Sequence, residues 1–403
     1  SLLLLYSVSR ILVGASFLPF GSFSSVTTSP LGGFNDLGLI SGAVLVAVLT
    51  IGVMATLRVW HYVVLAIVSA LAVFSLLAVN FLLVWWVVGI FAAGVFLHQL
   101  LLELYRAAPE SRMQRQIMVV VSLLVTLLCG WYAFTNTDDG TKLQQWADIS
   151  FVEVRPSFTA TLDVMREVYA EQALIGAGPN QFATAWRTHK DVSINETIFW
   201  NTNFASGFSF ILTTFVQLGV LGGTLLVVFQ LWFAWVGYRA LSAPQTTGSR
   251  WHMVTAVSVV SSVFLWVMTY LYAPGALVLL LAAFLTGISL AGIAVLRPKS
   301  ALSLSITRAP GGPNIGKILV VLVVIGLTGA MLYSVLQQYR AESAVNQAVA
   351  ANELTRDLAT TAYAQYSDPR FLSLRAQLSA AQLQRLVQTA EPTEEEQAAF
   401  FAQ

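Results

Sequence analysis

The sequence predicts an all-α fold: a polytopic bundle of transmembrane helices carrying one large loop and a helical C-terminal tail. Three observations predict it. Of the 403 residues, 57% are hydrophobic and 10% charged, where a soluble domain carries about 25% charged. Apolar runs of the roughly 20 residues that a helix needs to cross a bilayer recur along the chain. A single long hydrophilic stretch, roughly 136–208, interrupts them before the polar C terminus.

About nine spans are expected, at roughly 2–20, 37–57, 62–79, 81–102, 117–135, 209–236, 253–272, 274–296 and 316–336. Asn80 separates the third from the fourth, and Ala273-Pro274-Gly275 the seventh from the eighth, so both pairs read as tight helical hairpins. The chain opens on Ser1-Leu2-Leu3-Leu4-Leu5 without the basic segment of a signal peptide. Further spans are therefore expected upstream.

Lys and Arg in short loops set orientation. Arg58; Arg106, Arg112 and Arg115; Arg239 and Arg250; and Arg297, Lys299, Arg308 and Lys317 fall on alternate loops, which are expected to be cytoplasmic. The opposite short connections carry no Lys or Arg. Segment 1–135 then holds five spans, 136–208 an extracytoplasmic loop, 209–336 four more spans, and 337–403 an extracytoplasmic tail. Trp131, Tyr132, Tyr270 and Tyr272 fall at the outer interface; Trp60, Trp232, Trp235 and Trp251 fall at the inner one.

The tail is rich in Ala and Gln. Asn352, Asp357, Ala364 and Pro369 fall where a tetratricopeptide repeat has its glycine, small residue, alanine and terminal proline. Solenoids need at least about three repeats, so the tail reads as a helical hairpin, the start of a repeat array, or plain amphipathic helices.

Several function classes lose support. A net charge of +1 gives no reason to expect a nucleic-acid partner. Cys129 is the only cysteine and lies in an apolar run. No acidic or histidine cluster has metal-ligand spacing, so no metal site is expected.

Within the loop, Phe158, Leu162, Met165, Val168 and Tyr169 recur at helical spacing, with Asp163, Arg166, Glu167 and Glu171 on the other face. Pro156-Ser157 is expected to start an amphipathic helix lying on the membrane with its apolar side down. Gly176 ends it, and Gly176-Ala177-Gly178-Pro179 forms a structural turn into a short helix through Phe182 and Trp186. Gly176-x-Gly178 lacks the third glycine and preceding strand of a dinucleotide site.

Arg155 directly precedes the first of these helices. Its guanidinium could grip a diphosphate with forked hydrogen bonds, or pair with Glu153 or lipid headgroups at a surface. Arg10 sits within an apolar run, which points to a cavity or an anionic partner, or to snorkelling. His189 is a candidate base near neutral pH, or solvated surface. Trp200, Asn201 and Asn203 can stack on and orient a sugar. Gln217 is expected to bond another helix or line a cavity, and Asp138-Asp139-Gly140 reads as a solvated turn.

Arg155, then Leu174-Ile175-Gly176-Ala177-Gly178-Pro179-Asn180-Gln181-Phe182, then a polar stretch, then Phe210-Ile211-Leu212 with Gln217-Leu218-Gly219-Val220-Leu221-Gly222 resemble the O-antigen ligase/polymerase superfamily. The match covers most of the loop and the first part of the following span. The resemblance implies a bacterial cytoplasmic-membrane protein with a periplasmic loop. It would transfer a glycan from undecaprenyl diphosphate to a glycan, lipid or protein acceptor, without metal or cofactor. It matches Arg155 to the loop arginine and Arg10 to a membrane arginine that hold the carrier diphosphate; Arg166, Trp200, Asn201, Asn203 and Gln217 are further substrate-binding candidates on residue type and position alone.

The family's acceptor-activating histidine is missing, because Phe208 and Ser209 stand where its His-Asn pair belongs. His189, Glu196 or Asp163 would then supply the base. Two other classes remain open: a transporter or flippase for the same lipid-linked glycan, and a non-catalytic scaffold whose tail recruits a protein partner.

Overall fold

The computed structural model describes residues 2–18, 25–54, 58–105, 112–135, 139–149, 151, 153–242, 250–297, 315–350, 354–366 and 369–388. Among them the chain is helical with no strand. Eight helices are long and apolar enough to cross a membrane. It is a multi-pass membrane protein. Of the residues singled out above, Ser1, Arg106, Asp138, Lys299, Arg308 and Asn352 lie outside the described set.

The chain divides into two compact units, one holding the first eleven helices and the other the last three. The first begins with α1 (Leu2–Val13) and α2 (Phe34–Met54), followed by α3 (Val59–Val79), α4 (Leu82–Tyr105) and α5 (Arg112–Thr135). α1 ends at Val13, well before the end near residue 20 expected for the first span. Gly14 follows it at φ +109°. Among the described residues, eight of the nine expected spans are helices of spanning length, and the first is represented by the shorter apolar helix α1.

α2 is central and packs against α3, α4 and α5. Small residues allow this close approach. A Cβ on Gly42 would come within 2.7 Å of Val84 and of Phe264 on a later helix. At Asn80 the chain reverses in the left-handed conformation, φ 53°. The two helices it joins both pack on α2 rather than forming the expected paired hairpin.

The loop region holds α6 (Asp139–Trp146), α7 (Phe158–Gln172), α8 (Phe182–His189) and a 3-10 turn at Val192–Glu196. Asp139-Gly140 opens α6 instead of a solvated turn. α6 folds over the Asn80 reversal, where Gln144 Nε2 donates to the Ala78 carbonyl at 2.9 Å. Ser157 caps α7, its hydroxyl accepting from the Ala160 N–H at 3.1 Å.

Part of the apolar face of α7 is covered by protein. Val164 and Val168 are buried in a small core with Phe182, Ala185 and Trp186 of α8 and Val216 of the next helix. The helix is the one the spacing predicts, but its buried face is Thr161, Val164 and Val168. Of the expected stripe only Val168 is fully buried; Met165 and Tyr169 pack partly buried against this core, and Phe158 is exposed.

α9 (Phe210–Leu241), α10 (Arg250–Leu271) and α11 (Ala276–Leu296) complete the first unit. α10 and α11 do form a paired hairpin, stitched by Ser262 and Thr286 hydroxyls 2.6 Å apart and by Trp266 Nε1 donating to Thr286 at 3.0 Å. Contacts show which helix ends lie together. Asn35, Glu153, Arg155, Leu271 and Tyr272 meet at the loop end, while the Arg297 guanidinium reaches the Arg239 carbonyl at the other.

The second unit is α12 (Ile315–Ala350), α13 (Arg356–Gln365) and α14 (Pro369–Gln388). The boundary expected near 337 falls inside α12, which runs on without a break. Ala341 and Val345 of α12 pack with Ala362 of α13 and Phe371 of α14. Ala359 and Ala362 are the buried alanines of α13, and Ala364, at the repeat's alanine position, is exposed.

Candidate functional site

Two local constructions shape the loop end of the first unit. The first is a splice between the 173–178 turn and α9. α9 breaks at Gly219 (φ 65°, ψ −167°), which interrupts its own hydrogen-bond ladder. The turn supplies the partners. Ala177 N and Gly178 N donate to the carbonyls of Val216 and Gln217 at 2.9 and 2.8 Å. Val220 N and Leu221 N donate to the carbonyls of Ala173 and Leu174 at 2.9 and 3.2 Å.

Only glycine fits where the two backbones touch. A Cβ on Gly176 would lie 2.5 Å from Gly219 N, and one on Gly219 would lie 2.4 Å from the Leu174 carbonyl oxygen. Gly176 and Gly178 both have positive φ, as the expected turn requires. Pro179 follows on the exposed side of that turn. The two sequence segments quoted for the family resemblance are thus the two halves of one joint.

The second construction is a polar node at the ends of α2 and α10. Glu153 accepts from the Tyr272 hydroxyl at 2.5 Å and from the Asn35 side-chain amide. Asp36, buried in the first turn of α2, accepts from Gly33 N at 3.0 Å and from Gly275 N, the N-cap of α11, at 3.0 Å. One carboxylate thereby serves two helix N-termini, where negative charge is favourable. Burial, reinforced by the Glu153 carboxylate, raises the Tyr272 phenol above its ordinary value.

Arg155 stands beside this node. Its Nη1 donates to the carbonyls of Phe208 and Leu271, both at 3.1 Å, and the guanidinium lies 4.6 Å from the Phe208 ring and 5.5 Å from the Tyr272 ring. The 206–210 segment is itself pinned: Gly207 N to Thr213, Phe208 N to Thr161, and Phe210 N to the Tyr272 carbonyl. Nε and Nη2 of Arg155 form no hydrogen bond among the described residues. Among the described residues, then, these donors are held in a fixed plane and face no protein acceptor.

A cavity of about 300 Å³ opens here, lined by Glu153, Arg155, Asn203, Tyr272 and the 204–207 segment. Of the residues expected to bind substrate, it unites Arg155 and Asn203. It adds Glu153, which the sequence offers only as a possible partner of Arg155, and Tyr272, which the sequence offers only as an interfacial aromatic.

The remaining expected residues lie elsewhere. Arg10 is 1% exposed, and its guanidinium donates to the carbonyls of Thr28, Ala15 and Ser25 at 3.0, 3.2 and 3.0 Å. These bonds tie down its own loop, and Arg10 is not among the residues lining the Arg155 cavity. Arg166 pairs with Asp163 at 2.9 Å on the exposed face of α7. Glu196 is exposed on the 3-10 turn.

His189 lines a separate recess of about 260 Å³ with Glu171, Gln172, Gln181 and Thr188; it shares no residue with the Arg155 cavity. Trp200 and Asn201 are exposed on a neighbouring turn, where the Lys190 ammonium donates to the Trp200 carbonyl. Gln217 joins the splice through its carbonyl, and its side chain makes no hydrogen bond among the described residues. No group of three or more His, Cys, Asp or Glu is placed to hold a metal among the described residues.

Comparison of the chain with models of known protein families, with curated proteins and with solved structures finds no match.

Proposed function

We propose that the protein transfers a glycan from a polyprenyl-diphosphate carrier to an acceptor hydroxyl, in the cavity lined by Arg155, Glu153, Asn203 and Tyr272. One observation carries the reading: a guanidinium whose Nε and Nη2 have no acceptor among the described residues lines the same cavity as a carboxylate, at the loop end of a membrane bundle. Arg155 binds the diphosphate and stabilises the charge that develops as it leaves. Glu153 takes the acceptor proton, the role for which His189, Glu196 and Asp163 were the sequence candidates. The Tyr272 and Asn35 hydrogen bonds fix the carboxylate's orientation.

The step balances simply. The acceptor oxygen attacks the anomeric carbon, the bond from that carbon to the carrier diphosphate breaks, and the proton passes to Glu153. Attack from the face opposite the leaving group inverts the anomeric centre. In this reading the membrane is the bacterial cytoplasmic membrane, with the loop and the C-terminal tail outside the cytoplasm.

A transporter is the second reading, favoured by the broken helix α9, because interrupted helices build transporter sites. Its freed backbone groups are engaged by the 173–178 turn, which leaves them unavailable to a cargo.

The test is transfer from a polyprenyl-diphosphate oligosaccharide in proteoliposomes, with carrier binding measured alongside. Arg155→Ala should lose both. Glu153→Gln should keep carrier binding and lose roughly 10²–10⁴-fold in rate, the usual contribution of a general base. A wild-type protein that binds the carrier without transferring it would overturn the enzyme reading and leave transport or scaffolding.

A further inference from the structure

We propose that Leu174 and Ile175, at the tip of the turn spliced into α9, are immersed in the lipid bilayer at its interfacial layer. They would anchor the 153–208 loop to the membrane surface. The inference stands on the fold alone and is independent of the glycan-transfer reading.

Both side chains are 63% exposed, on a turn whose backbone is otherwise tied down. Their position is what identifies the covering material. The Leu174 carbonyl accepts from Leu221 N, which seats Leu174 beside the exposed apolar line of α9. That line runs through Leu221, Leu225, Val228 and Trp232, at the three- and four-residue spacing of one helix face. On a helix of this length and hydropathy such a line faces acyl chains. Leu174 and Ile175 extend it by one step outside the helix.

Depth follows from arithmetic. Arg239 lies in the last turn of α9, with Trp235 and Tyr238 exposed around it, the arrangement of an interfacial belt. The helix from Arg239 back to the break at Gly219 spans about 30 Å, at about 1.5 Å per residue. That equals the roughly 30 Å hydrocarbon thickness of a bilayer. The break, and the turn bonded to it, therefore sit at the opposite hydrocarbon boundary. The splice makes this tolerable: backbone groups freed near lipid need protein partners, and the turn provides four.

The experiment uses single-cysteine variants in a Cys129→Ala background, reconstituted in proteoliposomes and labelled with an environment-sensitive fluorophore. Leu174→Cys and Ile175→Cys are compared with Leu225→Cys, within the span, and Glu196→Cys, on the exposed 3-10 turn. All four side chains are exposed, so each label has room. Labels at 174 and 175 should be quenched by lipids brominated near the headgroup, and more weakly by lipids brominated at the chain ends. The label at 225 should show the reverse order, and the label at 196 should respond only to a water-soluble quencher.

Labels at 174 and 175 that behave like the label at 196 would overturn the proposal. So would labels shielded from both lipid and water, which would mean that protein covers the turn. A gel-filtration profile matching the unlabelled protein confirms that folding is intact.

Discussion

Replacing Gly219 by alanine should open the joint between loop and helix. Two costs add. The backbone at φ 65° and ψ −167° belongs to a region that is essentially glycine-only, and holding another residue there costs on the order of 1–3 kcal/mol. The new methyl would also sit 2.4 Å from the Leu174 oxygen, 2.5 Å from its carbonyl carbon and 2.6 Å from Gly176 N. These are backbone atoms and have no rotamer to escape into, so the turn must retreat.

Retreat breaks the four splice hydrogen bonds, each worth about 0.5–1.5 kcal/mol net. Closure of the loop on α9 should weaken by about 3–9 kcal/mol in all. The assay is limited trypsin digestion in detergent, following cleavage after Arg187 and Lys190. When cleavage reports the population of the open form, a loss of about 3 kcal/mol raises its rate roughly a hundredfold. Gly94→Ala in α4 is the control, because no atom lies within 4 Å of the added Cβ. If the two variants are cleaved at the same rate, the splice does not hold the loop.

Two further outcomes follow from the polar contacts. Arg10→Gln should lower the thermal unfolding midpoint, since a charged donor's hydrogen bonds contribute about 1.5–3 kcal/mol each and three carbonyls lose theirs. Its affinity for the polyprenyl-diphosphate carrier should stay at the wild-type value, and a selective loss of affinity would return Arg10 to the ligand site. Tyr272 has a raised pKa in the folded state, so its contribution to stability is whole below the ordinary tyrosine value of about 10 and declines as pH rises past it. Thermal unfolding of Tyr272→Phe between about pH 8 and pH 11 should show a smaller alkaline loss than wild type, and equal losses would remove the phenol from the node.

Most of the bundle is legible in the sequence because hydropathy over about 20 residues is a strong signal. α1 shows its limit: Val13-Gly14-Ala15 keeps the apolar run going, while Gly14 at φ +109° ends the helix. In α7 the stripe is readable and its partner is not, since an apolar face is satisfied equally by lipid or by Phe182 and Trp186. Gly176 is recognisable as a turn residue from its glycine-rich setting. Gly219 cannot be told from Gly222 and Gly223, because only the Leu174 backbone singles it out. Glu153 escapes notice for a related reason: its partners Asn35 and Tyr272 are 118 and 119 residues away, beyond the reach of any local pattern.

Asp36 has a history as well as a place. Its first partner, Gly33, is three residues away and its second, Gly275, is 239 residues downstream. At about 5–20 residues per second of synthesis, roughly 10–50 s separate the emergence of the two. Throughout that interval a carboxylate at the head of the central helix is only half partnered, and a bare charge cannot be drawn into hydrocarbon. α2 must therefore wait with its N-terminus at a hydrated level until the α10–α11 hairpin arrives. The bond to Gly275 is the latch that closes the first unit after its last helix pair has been delivered.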